Sequence, residues 1–166
     1  MTLKISSKAT IDTKEMTKFM NRLRDLDTHE VHYGYFLGDT HKESGLDIAW
    51  LAATLNYGND DMPARPFMNL AGDMVDRHFQ ISSKHGPDIW QYLCGTGTIN
   101  SLLKQFGKVG ETYVQASIDT GDWVDNAEWW KQAKFEKYGR SAPLVASQEL
   151  YEDVKSKVVK SNVILL

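Results

Sequence analysis

The chain has 166 residues, 42% hydrophobic and 25% charged, with a formal net charge of −3 and a single cysteine, Cys94. That length fits one domain with a core of its own, and the acidic balance argues against nonspecific grip on duplex DNA, which calls for a basic stripe. A lone cysteine excludes an internal disulfide, and with neither a signal-peptide core nor a membrane-length apolar run the chain reads as a soluble protein made in the cytosol.

The first predicted element starts at Asp12. Asp12 with Glu15 three residues on forms a carboxylate capping box, and Ile11 and Met16 occupy the staple positions. Met16, Phe19, Met20, Leu23 and Leu26 then recur at helical spacing, which predicts a helix to about Leu26 with one apolar face. LKISSKA (3–9), just before it, is compatible with a strand. VHYGYFL (31–37) alternates Val31, Tyr33, Tyr35 and Leu37 on one face and predicts a strand. After a polar loop, LDIAWLAATLNYG (46–58) sets Ile48, Leu51, Ala52 and Leu55 on one side of a helix, with Gly58 as its stop.

MPARPFM (62–68) follows as a stiff connector. Pro63 and Pro66 fix two φ angles, and each biases its predecessor towards an extended state. Such preorganisation lowers the ordering cost of any contact the segment makes. Pro66 suits the first position of a helix whose stripe is Phe67, Leu70, Ala71, Met74, Val75 and Phe79, which puts the Phe67 ring in the core. Arg65 is read as exposed on this turn, able to bind a carboxylate of a neighbouring subunit or of its own domain, and is assigned to a contact between subunits or with an adjoining ring, so that Arg65→Ala should leave the monomer's melting temperature almost unchanged. The competing reading is an ordinary stiff connector anchored by Phe67.

Pro87 and Asp88 open a further helix, interrupted at CGTGT (94–98). From Ile99 the pattern resumes through Leu102, Leu103, Phe106, Val109 and Tyr113, where Gly107 and Gly110 either weaken the helix or mark close packing. The stretch over about 119–143 is aromatic, charged and aperiodic, a long excursion of the kind that serves function or a partner. Trp123, Trp129 and Trp130 cluster there, either plugging the excursion onto the core or forming an interface. VKSKVVKSNVILL (154–166) predicts a last strand. Helices without regular strand–helix alternation make the class α+β: several helices on a small, mainly antiparallel sheet, in one domain over 1–166.

Three stretches invite a catalytic reading. IDTGDW contains the Asp-Thr-Gly of aspartic proteases, whose paired carboxylates share a proton, so Asp119 would need a homodimer. The helical approach to it, GETYVQAS, favours a plain turn cap. HEVH (29–32) spaces its histidines three apart in a strand, which sends His29 and His32 to opposite faces and gives no metal site. CGTGT lacks the preceding strand and following Lys-Ser/Thr of a phosphate loop, and Cys94 reads as a buried small hydrophobe. No catalytic, cofactor or metal residue is expected.

The succession VHYGYFLG, IAWLAATLNYGNDDMPARPFM, SIDTGDWVDNAEWWKQAKFEKYGRSAPLV and a β-rich end resembles a tailed-bacteriophage neck family, the head–tail joining, tail-completion or virion-morphogenesis proteins of the HK97-like group. Asn56, Tyr57, Gly58, Pro63, Ala64, Arg65, Pro66 and Phe67 match its central motif. Lys137, Gly139, Pro143, Leu144, Val145 and Leu150 match a late one, in which Ala146, Ser147 and Gln148 replace Asp-Thr-Gly; Asn69 stands where arginine is common. The resemblance spans about residues 10–160. It implies a non-enzymatic virion protein forming a homo-oligomeric ring at the head–tail junction or upper tail end, as neck, tail-completion or tail-terminator protein. Its partners would be copies of itself and adjoining neck, connector or tail proteins, with no membrane and no sequence-specific nucleic acid. Pro63, Arg65, Pro66, Trp123, Trp129 and Trp130 are its candidate interface residues. A dimeric aspartic-protease-like enzyme using Asp119, and a phage-encoded nucleic-acid-binding regulator with a local basic face, are the alternatives.

Overall fold

The structure, a computed structural model, describes residues 13–42, 44–120, 122–144 and 148–161. In chain order these form α1 (Thr13–Asp27), β1 (His29–Gly34), α2 (Ile48–Tyr57), α3 (Phe67–Ile81), α4 (His85–Leu93), α5 (Ile99–Thr120), α6 (Glu128–Tyr138), α7 (Glu149–Glu152) and β2 (Lys155–Lys160), an α+β arrangement. The strand expected over 3–9, the Ile11–Asp12 cap, Val145 to Ser147 of the late motif and the end of the last strand lie outside the described residues. No helix among the described residues is long and apolar enough to cross a membrane.

β1 and β2 pair antiparallel from His29↔Lys160 to Gly34↔Lys155, tying the start of the chain to its end. One face of this ribbon lies on α5, and two glycines set how closely. A Cβ on Gly107 would stand 2.4 Å from Ser156 Oγ, and one on Gly110 2.4 Å from Cγ of the Tyr33 ring. Both are therefore close-approach positions, and α5 keeps its 22 residues across them. Gly110→Ala is expected to gain roughly 0.5–1 kcal/mol of helix propensity. It should lose more, about 1–3 kcal/mol, because the Tyr33 ring must leave its place. Thermal denaturation of that variant checks the sign; a higher Tm would show that the ring moves aside at little cost.

Ile48, Ala52, Phe67, Ala71, Val114, Ile118, Leu144, Leu150 and Val154 make the core. Phe67 is fully buried, as its place on the stripe requires, and meets Tyr35 edge to face with centroids 6.2 Å apart. The alternation that predicts a strand to Leu37 ends at Gly34, whose φ of +129° turns the chain. Tyr35 then points inward and donates to the Leu150 carbonyl, while Leu37 is left 83% exposed.

α1 contributes no buried residue. Phe19 meets Trp90 of α4 edge to face at 6.3 Å, and Arg22 donates to the carbonyls of Tyr92 and Gly95. This anchors the Phe19–Arg22–Leu26 side, but Met16, Met20 and Leu23 remain 56%, 49% and 43% exposed. Helical periodicity identifies an apolar face without saying what covers it. Two further expectations are corrected. Cys94 is exposed at the end of α4 rather than buried, because Gly95 (φ +113°) and Gly97 (φ +78°) carry the chain into a surface turn. The excursion is not wholly irregular: α6 lies inside it, ended by Gly139 in the left-handed conformation. None of its residues is buried, so its sequence shows no burial period.

Candidate functional site: the cleft between the proline connector and α6

The connector is shaped by a glycine and an asparagine as much as by its prolines. Gly58 ends α2 with φ +73° and ψ −179°, a conformation closed to L side chains. A Cβ there would stand 2.6 Å from the Ala64 nitrogen. The chain bridges back on itself through Asn59 N–H to Met62 O (2.9 Å), and Arg65 N–H donates to Leu55 O (2.9 Å). Pro66 precedes the first turn of α3 rather than lying in it, and has no side chain to cap the helix. Asn56, buried at the end of α2, does so instead: its Oδ1 accepts from Met68 N–H (2.9 Å) and its Nδ2 donates to Asn69 Oδ1 (2.9 Å).

Arg65 is not on an exposed turn. It is 3% exposed, its Nε donating to Val124 O (2.9 Å) and its Nη2 to Asn126 Oδ1 (3.1 Å). Asn126 Nδ2 in turn donates to Ser141 O (3.1 Å). The guanidinium thus clasps the limb before α6 to the connector, and Asn126 ties that limb to the one after α6, so the exposed contact expected of Arg65 is corrected to an internal one. The three tryptophans divide. Trp123 packs against the core with its indole N–H buried and without a hydrogen-bond partner among the described residues. Trp129 and Trp130 stand on α6, 73% and 44% exposed. Pro63 and Pro66 are exposed.

Between connector and α6 opens a cleft of about 620 Å³. Leu51, Leu55, Met62 and Pro63 line one side, and Trp129, Trp130, Lys134 and Tyr138 the other, with Arg65 among them. The cleft thus joins Pro63, Arg65, Trp129 and Trp130 of the residues picked from sequence, and leaves Trp123 in the core. Lys134 Nζ lies 5.6 Å over the Trp130 ring. Burial holds the Lys134 ammonium below its ordinary pKa, and the Arg65 charge adds to that. Burial likewise lowers Arg65, opposed by Asp125, whose own carboxylate is held low first of all by Lys131 at 2.5 Å. Lys134 itself makes no ion pair among the described residues.

The other tempting residues lie elsewhere. Asp119 is exposed in the last turn of α5, not on a tight turn after a strand. His29 and His32 sit in β1 facing Lys160 and Lys157 across the ribbon. His78 and His85 join α3 to α4, Nε2 to Nε2 at 2.8 Å, with His78 Nδ1 3.0 Å from the Tyr113 hydroxyl. No group of three or more His, Cys, Asp or Glu among the described residues could hold a metal ion. The cleft thus sets an aliphatic side against an aromatic one, with two partly desolvated cations, Arg65 and Lys134, and two carboxylates, Asp61 and Asp125, along it. Sequence reading missed Asn126 and Lys134, whose partners lie far away in the chain; Asn56 had a signal only through the matched motif. No family model, no curated protein and no solved structure matches the chain.

Proposed function

We propose that the chain is a structural subunit of a tailed-bacteriophage virion, assembling as a ring at the head–tail junction or the upper tail end. One observation carries this reading furthest: α1 and α6 bury none of their residues yet display large apolar side chains. A single soluble chain rarely leaves such surface uncovered. One patch belongs to α1 and the other to α6 and the connector, and a ring of identical subunits needs two unlike patches that meet head to tail. The matched motif supports the same reading, because its residues build the connector that forms one wall of the cleft.

The test is mass spectrometry of purified virions, with the neck and tail separated from the capsid. Several copies per particle in the neck or tail are expected. Absence from virions would remove the structural role. The purified chain should associate only weakly, since a ring subunit must await its platform.

A further inference from the structure

The cleft and the bare stripe of α1 are complementary. Met16, Met20, Leu23 and Asp27 follow one another at spacings of four, three and four residues, and all four are exposed. That is the i, i+4, i+7 pattern by which an amphipathic helix anchors in an apolar groove, continued by a carboxylate one turn on. The Asp27 carboxylate has no hydrogen bond or ion pair among the described residues. Across the cleft, the Lys134 ammonium makes no ion pair among the described residues, and the Arg65 guanidinium donates through Nε and Nη2.

We propose that the cleft receives α1 of a second copy of this chain, with Met16, Met20 and Leu23 against Trp129, Trp130 and the connector, and the Asp27 carboxylate on the Lys134 ammonium. The charge argument is local. Lys134 is half-buried, so its positive charge has been drawn partly out of water without an ion pair among the described residues, and a carboxylate delivered there offsets the lost solvation. A polyanion is a poorer occupant, since Asp61 and Asp125 line the same cleft. The helix cannot come from the same copy while Arg22 and Phe19 fasten it to α4. Because helix and cleft lie on different parts of one chain, each bound copy offers the next a fresh helix, and the contact repeats from copy to copy, as a ring requires. The inference rests on the ring reading only in taking the occupant to be the same chain.

Charge reversal tests it. Lys134→Glu removes a cation without an ion pair, and Asp27→Lys alters an exposed side chain, so both variants should fold and melt like the parent. Sedimentation equilibrium of the full chain at its highest concentrations is expected to show weak association. Either variant alone should associate at least about tenfold more weakly, since a like charge then meets the remaining one. Mixed in equal amounts, the two variants should recover association: each helix then finds a cleft of opposite sign, and the subunits alternate. A parent that stays monomeric throughout, variants that associate as the parent does, or a mixture that fails to recover would each overturn the contact. Virion content is measured separately. A chain present in virions without this pairing removes only the contact; one that pairs but is absent from virions removes only the head–tail role.

Discussion

Phe67→Ala is expected to cost about 3–5 kcal/mol, the range for emptying a phenylalanine site in a packed core. Phe67 is fully buried among Ile48, Ala52, Ala71 and Val114, and its ring lies edge to face with Tyr35. The surroundings have little freedom to collapse. Phe67 begins α3 directly after Pro66, its amide is bonded to Arg65 O at 2.7 Å, and Asn56 fixes the next amide. At roughly 2–4 °C per kcal/mol for a chain of this size, melting should fall by on the order of 6–20 °C. Urea denaturation with an unchanged m-value would assign the loss to the folded state. A loss under about 1 kcal/mol would mean that the ring is not a core element.

Arg65→Ala comes next, and here the structure reverses what a short exposed turn would give. Two hydrogen bonds from a buried charged group are lost, each worth about 1.5–3 kcal/mol. They leave the Val124 carbonyl and Asn126 Oδ1 without their donor. The monomer should therefore melt clearly lower, and limited proteolysis should cut first within 122–144, the segment the guanidinium holds. Arg65→Lys should rescue little, because one ammonium cannot reproduce the planar fork that reaches a backbone carbonyl and a side-chain amide together. Unchanged melting of Arg65→Ala would show that the clasp carries no stability and would return Arg65 to the role of an intersubunit contact.

These two neighbours in the connector separate what local sequence can and cannot say. Phe67 was placed in the core by periodicity alone, since Phe67, Leu70, Ala71, Met74 and Val75 fall on one side of a 3.6-residue helix whatever lies opposite. The helix stop at Gly58 and the breaks at Gly95 and Gly97 were equally legible, because glycine marks its own backbone conformation. Arg65 carried no such mark. Its charge predicts exposure, and only Val124 and Asn126, some sixty residues on, supply the acceptors that make burial tolerable.

The same division runs through the molecule. The sequence by itself determined the helices α1 to α5, the two strands as elements, the α+β class and the apolar faces of α1, α2, α3 and α5, because all of these follow from side-chain period and backbone sterics within a few residues. Only the tertiary structure decided that Gly107 and Gly110 bring α5 against Ser156 and Tyr33, that α6 is helical without burying a face, that Trp123 turns inward while Trp129 and Trp130 face the cleft, and that the stripe of α1 stays bare. Each of those outcomes depends on which distant surface arrives at a given side chain. Periodicity is blind to that, because it records what a residue is and leaves what it meets to the packing of the whole chain.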